Sequence, residues 1–153
     1  MIHIYVDADA CPVKEEIYKV ARRLRLQVTL VANAFMRMPH EQWLHLQVVG
    51  SGSDAADKWI VDNVQAHDLV VTADILLADL CIRKEAFVLS PVGKPFTEEN
   101  IGSAVAMRNL LSDLRGNGEI AGGPPPMVQR DRSRFLQQMD QMVQVAMRRK
   151  SAQ

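Results

Sequence analysis

A chain of 153 residues, 48% of them apolar, holds enough material for one core of ordinary domain size without disulfide or metal staples. No run approaches the roughly 18 consecutive apolar residues of a membrane span, and Met1 leads straight into strand-like sequence with no leader pattern, so a soluble cytoplasmic protein is expected. A formal net charge of zero argues against coating nucleic acid through bulk charge, yet it hides a division: 11 basic and 15 acidic residues through Asp113 (−4), then 7 basic and 3 acidic from Leu114 onward (+4).

The first apolar run, "HIYV", reads as a strand closed by Asp7 and Asp9, which point to the same side if the extended chain continues. Pro12 suits a first helical position, and Val13, Ile17, Val20, Ala21 and Leu24 share one face, predicting a helix that leads into the strand "QVTLVA". "LQVV" is a third strand, followed by the turn "GSGSD" and a helix from about Asp54 to Gln65. "LVVT" ends at Asp74 and precedes a helix over about Ile75 to Lys84; "AFVLS" precedes one from Thr97 to about Arg115. A Gly/Pro loop occupies about 116–128, and a last helix about 129–149 places Phe135, Met139, Met142, Val143 and Met147 on one face that packs on the body. Strands without alternation, separated by helices, imply a single domain over 1–153: an α/β fold, three-layer α/β/α with a mainly parallel sheet.

In open parallel sheets, ligands bind outside the carboxyl ends of the strands, so acids there are the candidates. Asp7 and Asp9 qualify, as does Asp74 with Thr72 at its own strand end, and Asp54 and Asp57 open the helix after the third strand. Asp57 falls within the apolar arc of Ile60, Val61 and Val64, which turns its carboxylate inward. Buried carboxylates need neutralising, and the only cations beside these acids in sequence are Lys14 and Lys58. A hard divalent cation, Mg²⁺ or Mn²⁺, suits an all-oxygen set of Asp7, Asp9, Asp57 and Asp74. Asp54 reads equally as a helix cap, and Asp79 is a second-tier candidate five residues past Asp74. Asp62 and Asp68 read as structural.

Cys11 at a helix start invites a nucleophile, but the arginine of a cysteine-phosphatase loop is replaced by Ile17 and the second cysteine of a redox pair by Lys14; a small buried thiol is the plainer reading. Ser51, Gly52 and Ser53 offer backbone N–H groups and hydroxyls to an anion, or else a tight turn with Ser53 as N-cap. Arg130, Arg132 and Arg134 form either a solvated helix face or a set of contacts to a phosphate backbone, with Lys14 a further candidate for substrate.

At "YVDADACPVK", "SGSDAADKWI", "DLVVTADILLAD" and "GGPPP…RDRSRF" the sequence closely resembles the YaiI/YqxD family of bacterial proteins, a branch of the PIN-like nuclease fold. That resemblance implies acids at the ends of parallel strands and Mg²⁺- or Mn²⁺-dependent cutting of RNA or DNA. On the matching positions here, Asp7 and Asp74 become the catalytic acids, with Asp57 or Asp54 supplying the helix acid. The "DACP" turn departs from the PIN-like pattern. A metal-dependent nuclease is therefore the expected function; a non-catalytic RNA- or protein-binding module is the alternative, and a phosphatase of the haloacid-dehalogenase type, suggested by "VDADAC", stands third.

Overall fold

A computed structural model describes residues 1–52, 54–116 and 126–152. Six strands form one sheet: β1 (His3–Asp7), β2 (Gln27–Ala32), β3 (Leu44–Val48), β4 (Leu69–Val71), β5 (Phe87–Leu89) and β6 (Pro95–Phe96). The helices are α1 (Lys14–Leu24), α2 (Ala55–Asn63), α3 (Ile75–Arg83), α4 (Glu98–Gly116) and α5 (Gln129–Ser151). The strand order is β3-β2-β1-β4-β5-β6, parallel except for the antiparallel β5–β6 pair. The sequence reading misses β6, because two residues beginning with proline carry no periodicity to detect. Most of the Gly/Pro loop placed at 116–128 lies outside the described residues.

Register sorts the side chains into two layers. Ile4 stands beside Leu69 and Val6 beside Val71, and these pack with α1 and α5; Tyr5 stands beside Val70 on the other face, with α2, α3 and α4. The result is the expected three-layer α/β/α arrangement. Strands covered on both faces need no alternation, which is why they read as unbroken apolar runs.

The chain leaves β1 toward β2 on one side, and the later strands fill the other, so the order reverses between β1 and β4. Two departures shape this point. β1 does not continue through Asp9: the backbone bends at Asp7 into a turn of 3-10 helix over Ala8–Ala10. Pro12 is not the first helical residue either, since α1 begins at Lys14 with Val13 as its N-cap. Meanwhile α2, arriving from β3, lies across β2 and β1, which carries its first turn toward the reversal.

The last helix completes one face of the sheet. Phe135, Met139, Val143 and Ala146 are fully buried against β4, β5 and α1. Its C-terminal end is fastened by Lys150, whose Nζ lies 3.0 Å from Oδ1 of the buried Asp68. Near its N-terminal end the β5–β6 corner approaches closely: Gly93 has φ +83°, and a Cβ there would lie 2.8 Å from the Phe135 amide nitrogen. Phe135→Ala is expected to destabilise the fold by about 3–5 kcal/mol. Gly93→Ala is expected to lose about 1–2 kcal/mol from backbone conformation alone, with more from displacement of α5. Urea unfolding midpoints at constant m-value check both; an unchanged midpoint for Phe135→Ala contradicts the packing described.

Candidate active site

At the reversal, two acids are joined through one hydroxyl. Thr72, 1% exposed, donates from Oγ1 to Asp7 Oδ2 at 2.9 Å, and the same oxygen accepts the Asp74 backbone N–H at 2.9 Å. A hydroxyl has one proton to give, so this geometry fixes Asp7 as acceptor and ties the end of β1 to the end of β4. Asp74 is also the N-cap of α3: its Oδ1 accepts from the N–H groups of Leu76 (3.0 Å) and Leu77 (3.2 Å). The capping and site readings of this residue are thus compatible, because the cap engages one carboxyl oxygen.

Asp57 enters from the first turn of α2. Burial, then the charge of Asp74 and a hydrogen bond to it, then the charges of Asp7 and Asp54, push its carboxyl up to about 7. Asp7 is likewise raised, chiefly by burial and further by Asp74 and Asp9, against the lowering effect of the Thr72 bond. Acids from β1, α2 and the β4–α3 junction therefore share one electrostatic environment. As they stand, no group of three or more His, Cys, Asp or Glu side chains among the described residues is assembled around a metal position. A proton held on Asp57, whose carboxyl is pushed up to about 7, lowers the repulsion among these acids. The donors, all carboxylate oxygens, fit a hard divalent ion in chemistry.

The remaining candidates divide. Asp9 does not lie beside Asp7 on an extended strand; it sits exposed on the 3-10 turn, and its Oδ2 accepts the Asn33 N–H at 2.9 Å. It joins the ends of β1 and β2 and contributes only the smallest of the charges acting on Asp7. Asp54 is exposed at the N-cap of α2 without a side-chain capping bond, and it acts on Asp57 by charge. Asp79 pairs with Arg83 at 3.2 Å along α3 and is not among the groups acting on Asp7 or Asp57. Ser51 and Gly52 are exposed just before α2, whereas Ser53 lies outside the described residues.

The basic candidates are more committed than their sequence suggests. Lys14 donates from Nζ to the Cys11 carbonyl at 2.9 Å. Arg132 donates to the Pro12 carbonyl at 2.7 Å and to Glu16 Oε1 at 3.2 Å, clasping α5 to the start of α1. Arg130, two residues earlier in the first turn of α5, is exposed. Burial pushes the Cys11 thiol up, against a role as nucleophile. Sequence reasoning passes over Asn33, although it carries the signal used for the acids: a polar residue directly after a buried apolar strand.

A raised carboxyl in the folded state means that folding takes up protons between the ordinary carboxylate range and about 7. The contribution of Asp57 to stability without divalent metal is therefore fully present below about pH 4 and declines as pH rises through about 7. Asp57→Asn is expected to flatten that decline and to raise the melting temperature at pH 8. Thermal melts of both proteins in EDTA from pH 4 to 8 measure it, and parallel curves contradict the assignment.

The family described as "Uncharacterized BCR, YaiI/YqxD family" matches residues 5–145. A UPF0178 protein of Rhodopseudomonas palustris (strain ATCC BAA-98 / CGA009) is 52% identical over 152 residues, covering 99% of this chain and 96% of the relative. Those of Bradyrhizobium sp. (strain ORS 278) and Nitrobacter winogradskyi are 48% and 49% identical, covering 99% and 93% of this chain and 92% and 90% of theirs. No solved structure matches. With a family match over nearly the whole chain and relatives about half identical to it, the protein belongs to the YaiI/YqxD family.

Proposed function

We propose that this protein is a PIN-like, Mg²⁺- or Mn²⁺-dependent phosphodiester hydrolase acting on RNA or DNA, with RNA the first choice. The observation that carries the reading is the Thr72 bridge, which holds Asp7 and Asp74 together at the carboxyl ends of adjacent parallel strands where the strand order reverses. Asp7, Asp57 and Asp74 would hold the cation, with Asp9 at the rim; when bound, it supplies charge stabilisation at the phosphorus undergoing in-line displacement.

The protein's own residues supply the positioning. Thr72 selects one orientation of the Asp7 carboxylate, so that it need not reorganise during the reaction. The α3 N-terminus holds Asp74 by two backbone N–H groups, which fixes one of its carboxyl oxygens. Asp57 holds a proton near neutral pH and loses it above that, which sets how readily the acids accept a cation. Lys14 and Arg132 support the 8–13 turn, leaving the exposed Arg130, which has no ion pair among the described residues, for a phosphate backbone.

Asp74→Asn keeps an amide oxygen for the cap and should fold normally, while losing about 10²-fold or more in Mn²⁺-dependent cleavage of single-stranded RNA. Its affinity for the same RNA should stay near wild type, and Arg130→Ala should weaken binding and reduce its salt dependence. Mn²⁺ at 100 times its Kd should stabilise the wild type by about 2.7 kcal/mol. Wild-type protein that binds RNA without cleaving it under any metal condition fits the non-catalytic module instead.

A further inference from the structure

The segment after Asn33 is anchored at two alternate positions. Met36 and Met38 pack against the core beneath α1, whereas Phe35, Arg37 and Pro39 between and beyond them are exposed. This is the alternation of an extended chain pinned on one side, so Phe35 and Arg37 are held outward by the anchoring of their neighbours. Phe35 is 82% exposed, the only aromatic among the exposed large hydrophobic residues described. Removing a phenyl ring from water is favourable, and a ring kept this exposed by a pinned backbone is available to a partner with a flat apolar face.

Three further features identify that partner. Arg37 makes no ion pair among the described residues, and the nearby Glu41 is turned toward Arg22 at 4.0 Å, which leaves a cation next to the ring. Phe35, Arg37 and His40 line a cleft of about 720 Å³ that runs beside Leu44 and Leu46 on β3, the outermost strand on that side of the sheet. The segment also starts at the acids: the Asn33 N–H bonds to Asp9, and Phe35 follows two residues later, within about 7 Å of Asn33 along the chain. An aromatic face beside a cation, leading from an acidic centre, suits an unpaired nucleobase with its phosphate. Stacked base pairs of a duplex offer no such face in mid-strand.

From the outward Phe35–Arg37 pair beside Asp9, we propose that residues 35–40 and the adjoining cleft form a base-stacking platform that selects single-stranded nucleic acid for the acidic site. This deepens the hydrolase reading and rests on it for the identity of the substrate.

The test measures binding of a fluorescently labelled single strand, and of the matching duplex, in EDTA so that no cleavage intervenes. Phe35→Ala is expected to weaken single-strand binding about 5- to 150-fold with little effect on duplex binding. Phe35→Trp should preserve single-strand affinity, and its added indole emission, above that of Trp43 and Trp59, should be quenched by the strand. Arg37→Ala should reduce the salt slope by about one. Both residues are surface positions, and unchanged melting temperatures confirm the fold. If wild type cleaves RNA with Mn²⁺ but Phe35→Ala binds single strands as wild type does, the platform is wrong and the hydrolase reading stands. If wild type neither binds nor cleaves any strand, both fail. A concentration-dependent dimer abolished by Phe35→Ala, with strand binding unaltered, overturns the platform in favour of a second copy of this chain.

Discussion

Carboxylates crowded out of water must be neutralised, and that constraint organises the carboxyl edge of this sheet. Asp7 is half-buried at the end of a strand whose centre is covered on both faces, beside the end of β4. There it meets a threonine hydroxyl on one side and two further acids on the other. The structure answers with a hydrogen bond from Thr72, two backbone N–H groups on Asp74 and a proton on Asp57 pushed up to about 7. Each relieves part of the repulsion. The same crowding lowers the contribution of Asp57 to stability as pH rises.

The fold brings these groups together through its connections. A helix that stayed above β3 would leave Asp57 far from β1; because α2 crosses β2 and β1 to reach β4, its first turn arrives over the strand reversal. On the opposite face, α5 covers the parts of β4 and β5 that α1 does not reach, so those two strands are buried on both sides as their sequences require. Its register is held at both ends, by Lys150 on Asp68 and by Arg132 on the start of α1, while Gly93 permits the close approach between. The basic tail evident in the charge count is consequently a fastener for part of its length.

The layering and the mainly parallel sheet are legible in the sequence, because both follow from apolar runs and the residues that end them. Asp9 was misplaced because spacing by two carries meaning only while the chain stays extended, and nothing in "VDADA" announces that the strand stops at Asp7. The commitments of Arg132 and Lys14 were hidden for a different reason: both bond backbone carbonyls, which every residue possesses and no composition reveals. β6 was missed because its two residues are held by pairing with β5 rather than by any preference of their own. Phe35 and Arg37 are separated from Met36 and Met38 only by which side of the chain meets the core, a distinction that needs the core in place.

The "DACP" turn that follows β1 has a mechanical explanation. The Cys11 N–H closes on the Ala8 carbonyl, Lys14 closes on the Cys11 carbonyl, and Arg132 closes on the Pro12 carbonyl. Three consecutive connections turn the backbone back on itself immediately after Asp7. A small thiol fills the inside of that turn, buried and pushed away from ionisation, and proline removes an N–H that would otherwise need a partner where the chain turns toward α1. The cysteine and proline therefore belong to the joint between β1, α1 and α5. By ending the strand at Asp7 rather than two residues later, that joint commits one carboxylate to the shared site and sends the other, Asp9, outward to β2 and to the segment that carries Phe35.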